Sequence, residues 1–150
     1  MLVREHWRSL NGIWEFAIDR NGDWTSPSAV RWDREFCVPF APETAASGIH
    51  DNSFFNVCWY RRTVPGERFQ RGERLILHFG AVDHTATVWI DGALAGSHQG
   101  GYSPFTIDLT PILRVPTCEV VVRAEDDPLQ RVREVGDLDR VVVAPGRRQR

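Results

Sequence analysis

Lysine is absent: all 18 basic residues are arginine. Without it there is no amine for Schiff-base chemistry and no P-loop lysine to meet a phosphate. Cysteine is scarce, with Cys37, Cys58 and Cys118 only, and no pair has the C-x-x-C spacing of a zinc or redox site. Three thiols among apolar neighbours read as buried and free, which suits a reducing compartment and a cytoplasmic protein. No apolar run nears the ~18 residues of a membrane span, and Arg4 and Glu5 interrupt the start before a secretory signal can form. A large charge of either sign is lacking too. The formal net charge is −2, so neither nucleic acid nor an anionic membrane is an expected partner. Helical periodicity is missing because breakers recur, among them Pro27, Pro39, Pro42, Gly48, Pro65, Gly80, Gly92, Pro104, Pro111 and Pro116.

What remains is an aromatic-rich chain of 150 residues, 42% apolar and 25% charged, with six Trp and eight Phe. That composition supports one domain with its own core. It leaves no room for a recognition domain plus a catalytic barrel of about 200 residues or more. The dominant period is two. Leu75, Leu77 and Phe79 alternate with Ile76 and His78, and Val120, Val122 and Ala124 with Val121 and Arg123. Short aromatic runs at 13–18 and 57–63 are bounded by turn formers. Residues 85–90 run into Asp91-Gly92 and then Ala93-Leu94-Ala95, a hairpin signal because a type I′ turn needs φ > 0 at both central positions. Further strands are expected at 30–38, 105–109 and 141–144. There is no internal repeat, and the pattern predicts an antiparallel sandwich or barrel.

Few residues here suit chemistry. Glu125-Asp126-Asp127 lacks the spaced oxygens of a calcium loop, and neighbouring carboxylates on a strand end point to opposite faces. It reads as a polar strand terminus. His78, His84 and His98 do not share one side of one element, so no metal site is expected. Ser97 and Ser103 lie near His98 without a nucleophile elbow. The run from Gly96 to Gly101 opens no helix and reads as a turn returning Tyr102 and Phe105 to the sheet, with His98 and Tyr102 bracing it. Trp14, Trp59 and Trp89 alternate within strands and are expected in core or interdomain packing. Arg61 and Arg62 alternate, one facing a buried acid and the other solvent. No cofactor is expected.

Several strings together resemble the N-terminal sugar-binding domain of glycoside hydrolase family 2, the β-galactosidase and β-glucuronidase family. They are Ser9-Leu10-Asn11-Gly12-Ile13-Trp14-Glu15-Phe16, Val38-Pro39-Phe40 with Pro42-Glu43, Ser47-Gly48-Ile49, and Trp59-Tyr60-Arg61-Arg62. The middle matches best, at Phe79-Gly80-Ala81-Val82-Asp83, Val88-Trp89-Ile90-Asp91-Gly92, and Gly100-Gly101-Tyr102 with Pro104-Phe105. Asp91 stands where Asn is more usual. The last matching stretch is Val122 to Gln130.

The resemblance implies an all-β jelly-roll sandwich of the galactose-binding-like type over residues 1–130. It also implies that the acid/base and nucleophile glutamates of a retaining mechanism lie on a (β/α)8 barrel that this chain lacks. The domain would shape one side of a β-glycoside pocket through the loop from Glu43 to Phe55. There Glu43, His50, Asp51 and Asn52 can bond sugar hydroxyls, and Phe54 and Phe55 are placed to stack or pack. After Gln130 the family's Pro-Arg-Gly-Lys-Gln-like stretch is missing. Residues 131–150, with six arginines and no aromatic, therefore read as a divergent, partly disordered tail of a truncated or frameshifted product that adds no well-packed strand. A drifted final strand is the other reading.

The leading expectation is thus a non-catalytic domain of a family 2 glycosidase, with carbohydrate and a catalytic barrel as partners. The alternatives are a free-standing carbohydrate-binding module and an assembly domain for a homo-oligomer.

Overall fold

The computed structural model describes residues 7–51, 53, 55–65, 74–82, 84–111, 116–126 and 138–146, the last of these through its backbone. Among the described residues ten strands follow in order: β1 (Arg8–Ser9), β2 (Gly12–Asp19), β3 (Arg34–Val38), β4 (Val57–Pro65) and β5 (Arg74–Val82). Then come β6 (Thr85–Ile90), β7 (Ala93–Gln99), β8 (Phe105–Asp108), β9 (Thr117–Glu125) and β10 (Leu138–Gly146). They form a four-stranded sheet, β1-β10-β5-β8, and a six-stranded sheet, β3-β2-β4-β9-β6-β7. Every pairing is antiparallel. The chain is an all-β, jelly-roll sandwich.

Alternation decides which side chains meet between the sheets. Trp14 and Phe16 of β2, Phe36 and Val38 of β3, Tyr60 of β4 and Val120 and Val122 of β9 face inward. They meet Leu75, Leu77 and Phe79 of β5. Phe16, Phe36 and Tyr60 form a triangle with centroids 5.0–5.2 Å apart, one pair edge-on. Each such pair adds ~0.5–1.5 kcal/mol beyond its buried area. At Gly96 of β7 a Cβ would stand 2.7 Å from Ile107 Cδ1, so a larger residue there would push the tip of that side chain aside between the two sheets.

The predicted hairpin is present. Asp91 and Gly92 have φ of 48° and 78°, the left-handed pair that the turn requires. Asp91 also exchanges hydrogen bonds with β9, its N–H donating to Glu119 O at 2.9 Å and its Oδ1 accepting from Glu119 N at 2.8 Å.

Four expectations need correction. The strand expected at 30–38 is shorter, because a 3-10 turn at Pro27–Ala29 and the extended approach to Arg34 precede it. Gly96, Ser97 and His98 belong to β7, and the turn occupies 100–103, where His98 Nε2 lies 2.9 Å from Ser103 Oγ. Tyr102 is 84% exposed and so does not return to the sheet, whereas Phe105 does, stacked between Phe79 and His98. The strand expected at 141–144 lies within β10, which pairs with β5 from Leu138↔Val82 to Gly146↔Arg74 and with β1, against the other reading of 131–150 as a tail that adds no strand. Without β10, β5 and β1 would carry unpaired backbone groups on facing edges.

Part of the outer face of the six-stranded sheet is also covered. Ala17, Val57, Trp59, Trp89 and Val121 point away from the main core, and the excursion between β2 and β3 lays Trp24, Val30 and Trp32 over them. Trp59 and Trp89 stack at 5.2 Å. Asp19, only 4% exposed, anchors the excursion by accepting the N–H groups of Asp23 (3.0 Å) and Trp24 (2.8 Å). The tryptophans of the strands are core residues, as alternation implied.

Candidate functional site

The loop joining β3 to β4 carries the residues expected to meet sugar. Its first turn is closed by Thr44, whose N–H and Oγ1 both donate to Ala41 O. A 3-10 turn at Ala45–Ser47 follows and ends on Gly48 in the left-handed region, φ 84°. Ser47 is the pin. It is 1% exposed; its hydroxyl bonds Thr44 O (2.8 Å) or Pro42 O (3.1 Å) and accepts from Ile49 N (3.0 Å). Asp51 N then donates to Pro42 O at 3.2 Å, folding the loop back on its own start.

That bond brings positions 42–43 and 50–51 to one end of the loop. Glu43 is half-buried there, with Oε2 shielded and unpartnered among the described residues. His50 adopts φ 49°, in the left-handed region that Asn, Asp and His enter more readily than other non-glycine residues. Asp51 accepts from Ser53 N at 2.8 Å, and its contact with Ser53 holds its carboxyl below the usual range, so it is an anionic acceptor at neutral pH. Asn52 and Phe54 lie outside the described residues. Phe55, 4% exposed, packs into the core beneath Arg20 rather than presenting a stacking face.

Alongside the loop runs a feature that motif reasoning missed. An open groove of about 730 Å³ lies on the outer face of β2 and β3, walled by Ala45–Ile49 on one side and Trp32 on the other. Its floor is two successive cross-strand pairs, Ile13↔Cys37 and Glu15↔Glu35. Arg61 of β4 clamps this end of the sheet, donating from Nε and Nη2 to the two Glu15 oxygens at 2.7 and 2.8 Å. Its guanidinium lies 4.5 Å from the Trp32 ring centroid. The same bonds push the Glu15 carboxyl below the usual glutamate value. Arg62 points the other way and donates to Leu10 O (2.6 Å) and Asn11 O (3.1 Å). The expectation of one arginine on a buried acid and one in solvent is therefore corrected. The acid Glu15 is about half exposed, and Arg62 is a strap that ties β4 to the residues before β2. The available signal was the period of β2, which turns Ile13 and Glu15 outward together.

Among the described residues no group of three His, Cys, Asp or Glu side chains is placed to hold a metal ion. His78 stacks on Trp7 at 4.9 Å, and His98 stacks on Phe105. Glu125 is ion-paired to Arg123, and Asp126 N donates to Asn56 O, so these two members of the carboxylate run serve the strand end. Asp127 lies outside the described residues. Cys58 and Cys118 are free and buried, and burial pushes their thiols up to about 12 and about 11. Cys37 is free and only half-buried, at the groove floor.

Residues 41–129 match the model of "Glycosyl hydrolases family 2, sugar binding domain". A β-glucuronidase of Streptococcus agalactiae is 28% identical over 111 residues, covering 73% of this chain and 17% of that protein. A β-galactosidase of Thermoanaerobacter pseudethanolicus is 31% identical over 71 residues, 47% of this chain and 10% of the other. Among solved structures, a Ruminococcus gnavus β-glucuronidase superposes with a TM-score of 0.75 at 19% identity, covering 96% of this chain and 29% of that one. The chain thus spans roughly a fifth or less of the length of these curated relatives.

Proposed function

From the premise that this chain belongs to glycosyl hydrolase family 2 through its sugar binding domain, we propose that it serves as the non-catalytic N-terminal domain of a retaining β-glycosidase. In that reading the catalytic glutamates stand on a separate barrel, and the loop bearing Glu43, His50, Asp51 and Asn52 forms one wall of the substrate pocket. The single observation that carries the proposal is the family match over 41–129 on a sandwich of the same fold. A β-glucuronide is the preferred substrate class, because the β-glucuronidase match covers 73% of the chain and the β-galactosidase match 47%. The free thiols support a reducing, cytoplasmic setting.

The electrostatics of the groove also support a non-catalytic role. Glycoside cleavage needs one carboxyl with a raised pKa to protonate the leaving oxygen. Glu15 is pushed the opposite way by Arg61, and the groove is open to water.

Purified chain is expected to release no chromophore from aryl β-glucuronides or β-galactosides, and turnover free of host enzyme would overturn the proposal. Genomic DNA on the 3′ side is expected to encode a barrel, in the same or another frame. A second reading, a carbohydrate-binding module, is favoured by the groove, whose walls and floor all come from this chain.

A further inference from the structure

We propose that Asn21-Gly22 is a self-modifying site, at which the Asn21 amide is lost and the cover over Trp59 and Trp89 is loosened. The site rests on residues of this chain alone and is independent of the glycosidase reading.

The chemistry asks for an asparagine followed by a residue whose backbone nitrogen can reach the side-chain carbonyl. Glycine allows this best, because it has no Cβ in the way and the freest backbone. The Gly22 nitrogen gives up its proton to hydroxide and attacks Asn21 Cγ. A new N–Cγ bond forms, the Cγ–Nδ2 bond breaks, and ammonia leaves after taking a proton from water. Water then opens the cyclic imide at one of its two carbonyls. One opening gives aspartate, and the other gives isoaspartate, in which the main chain runs through Cγ.

The sequence holds three candidate steps, Asn11-Gly12, Asn21-Gly22 and Asp91-Gly92, and the fold separates them. Asn11 is clamped. Its N–H donates to Ser9 Oγ at 3.2 Å, its carbonyl accepts from Arg62 Nη1 at 3.1 Å, and Gly12 opens β2 opposite Val38. Asp91 is tied to Glu119 through both its N–H and its carboxylate, and a carboxylate resists nucleophilic attack more than an amide does. Asn21 is exposed in the excursion between β2 and β3, and its amide makes one exposed bond, from Nδ2 to Asp23 Oδ2 at 3.2 Å. Gly22, at φ 73°, donates to Asp19 O across 3.4 Å, longer than the usual range of about 2.7–3.2 Å. The attacking nitrogen is therefore loosely held.

The consequence follows from where the change falls. Buried Asp19 accepts Asp23 N and Trp24 N, and Asn21 lies inside the loop those two bonds close. Isoaspartate inserts one more main-chain carbon between Asp19 and the amides it holds. Both products also replace the Nδ2 donor that faces Asp23 with a carboxylate, so an attraction becomes a like-charge repulsion. Either product weakens the anchor, and Trp59 and Trp89 beneath lose cover.

The test ages the purified chain for weeks in warm, mildly alkaline buffer. Peptic digestion in acid, where the reaction stalls, then gives peptides whose asparagines are read by mass spectrometry with electron-transfer fragmentation. The Asn21 peptide is expected to gain the mass of an amide becoming an acid, with isoaspartate in the mixture. In the folded chain the Asn11 peptide is expected to convert at least about tenfold more slowly, since it reacts only through local opening. In denaturant the two rates should converge. Aged protein is expected to show red-shifted tryptophan emission and a lower denaturant midpoint, and fresh Asn21→Asp a smaller shift of the same sign. Aged Asn21→Gln is expected to keep the fresh values, because glutamine must close a larger, slower ring. The proposal is overturned if the folded Asn21 peptide keeps its mass, if Asn11 converts as fast, or if fully converted protein retains the emission and midpoint of fresh protein. None of these outcomes bears on hydrolysis of a glycoside, which decides the glycosidase reading separately.

Discussion

The outer face of the six-stranded sheet is two surfaces that meet at Arg61. On one side, Trp59, Trp89 and Val121 are sealed beneath the 20–33 excursion and behave as a second core. On the other, Ile13, Glu15, Glu35 and Cys37 line an open groove. The strands are the same and so is their alternation. The difference lies in how far a tethered segment reaches, and Asp19 sets that reach by binding the segment's first backbone amides. Burial on a sheet face is therefore decided by cover as much as by pattern.

The sharpest way to break the comparison is to truncate an apolar side chain on each side. Trp59→Ala is expected to cost about 3–5 kcal/mol in denaturant unfolding, whereas Ile13→Ser is expected to stay within about 0.5 kcal/mol. Equal costs would mean that the groove is a packed surface. Asp19→Ala comes next. It leaves the amides of Asp23 and Trp24 without their carboxylate acceptor and should cost about 1 kcal/mol. Tryptophan emission should shift to the red as the cover loosens, and an unchanged spectrum would place the anchor elsewhere.

Titration separates the halves further. The Cys58 and Cys118 thiols have folded values raised to about 12 and about 11, above the usual 9, so their stabilising contribution is complete below pH 9 and is lost above it. Each should remove about 1.4 kcal/mol of stability per pH unit between its unfolded and folded values. Cys58→Ala is expected to flatten that alkaline slope, and an unaltered slope would contradict the burial of the thiol. Glu15 and Asp108 are shifted the other way, Glu15 by Arg61 and Asp108 by its bonds from Thr110 and Arg74, which outweigh its burial. Their contribution is present above the ordinary carboxylate range and disappears as pH falls through their lowered values. In acid unfolding curves Arg61→Leu should reduce this dependence. Glu35→Gln removes a like-charge pair and should add about 0.2–1 kcal/mol to the unfolding free energy, seen as a higher denaturant midpoint.

Much of this was legible before any coordinates. The Asp91-Gly92 turn follows from two residues that tolerate positive φ, and the inward sets on β5 and β9 follow from alternation. The loop residues Glu43, His50 and Asp51 were named from a resemblance, and the fold brings 42–43 and 50–51 to one end of it. Less visible were features that depend on partners distant in the chain. Nothing local in residues 138–146 says that they lie between β1 and β5, because a strand with a weak pattern takes its place from the edges that accept it. Gly96 looked like part of a turn, since the side chain it meets, Ile107, lies on the other sheet.

Local chemistry therefore determined the period of the strands, the positions of the tight turns and the number of thiols, all of which act over a few residues. Tertiary structure alone decided that β9 lies between β4 and β6, that one outer face is half core and half groove, and that Glu15 and Glu35 stand opposite one another. Those outcomes depend on which edges pair and which segments reach across them. Such contacts carry a loop-closure cost set by the whole chain, and no window of neighbouring residues contains it.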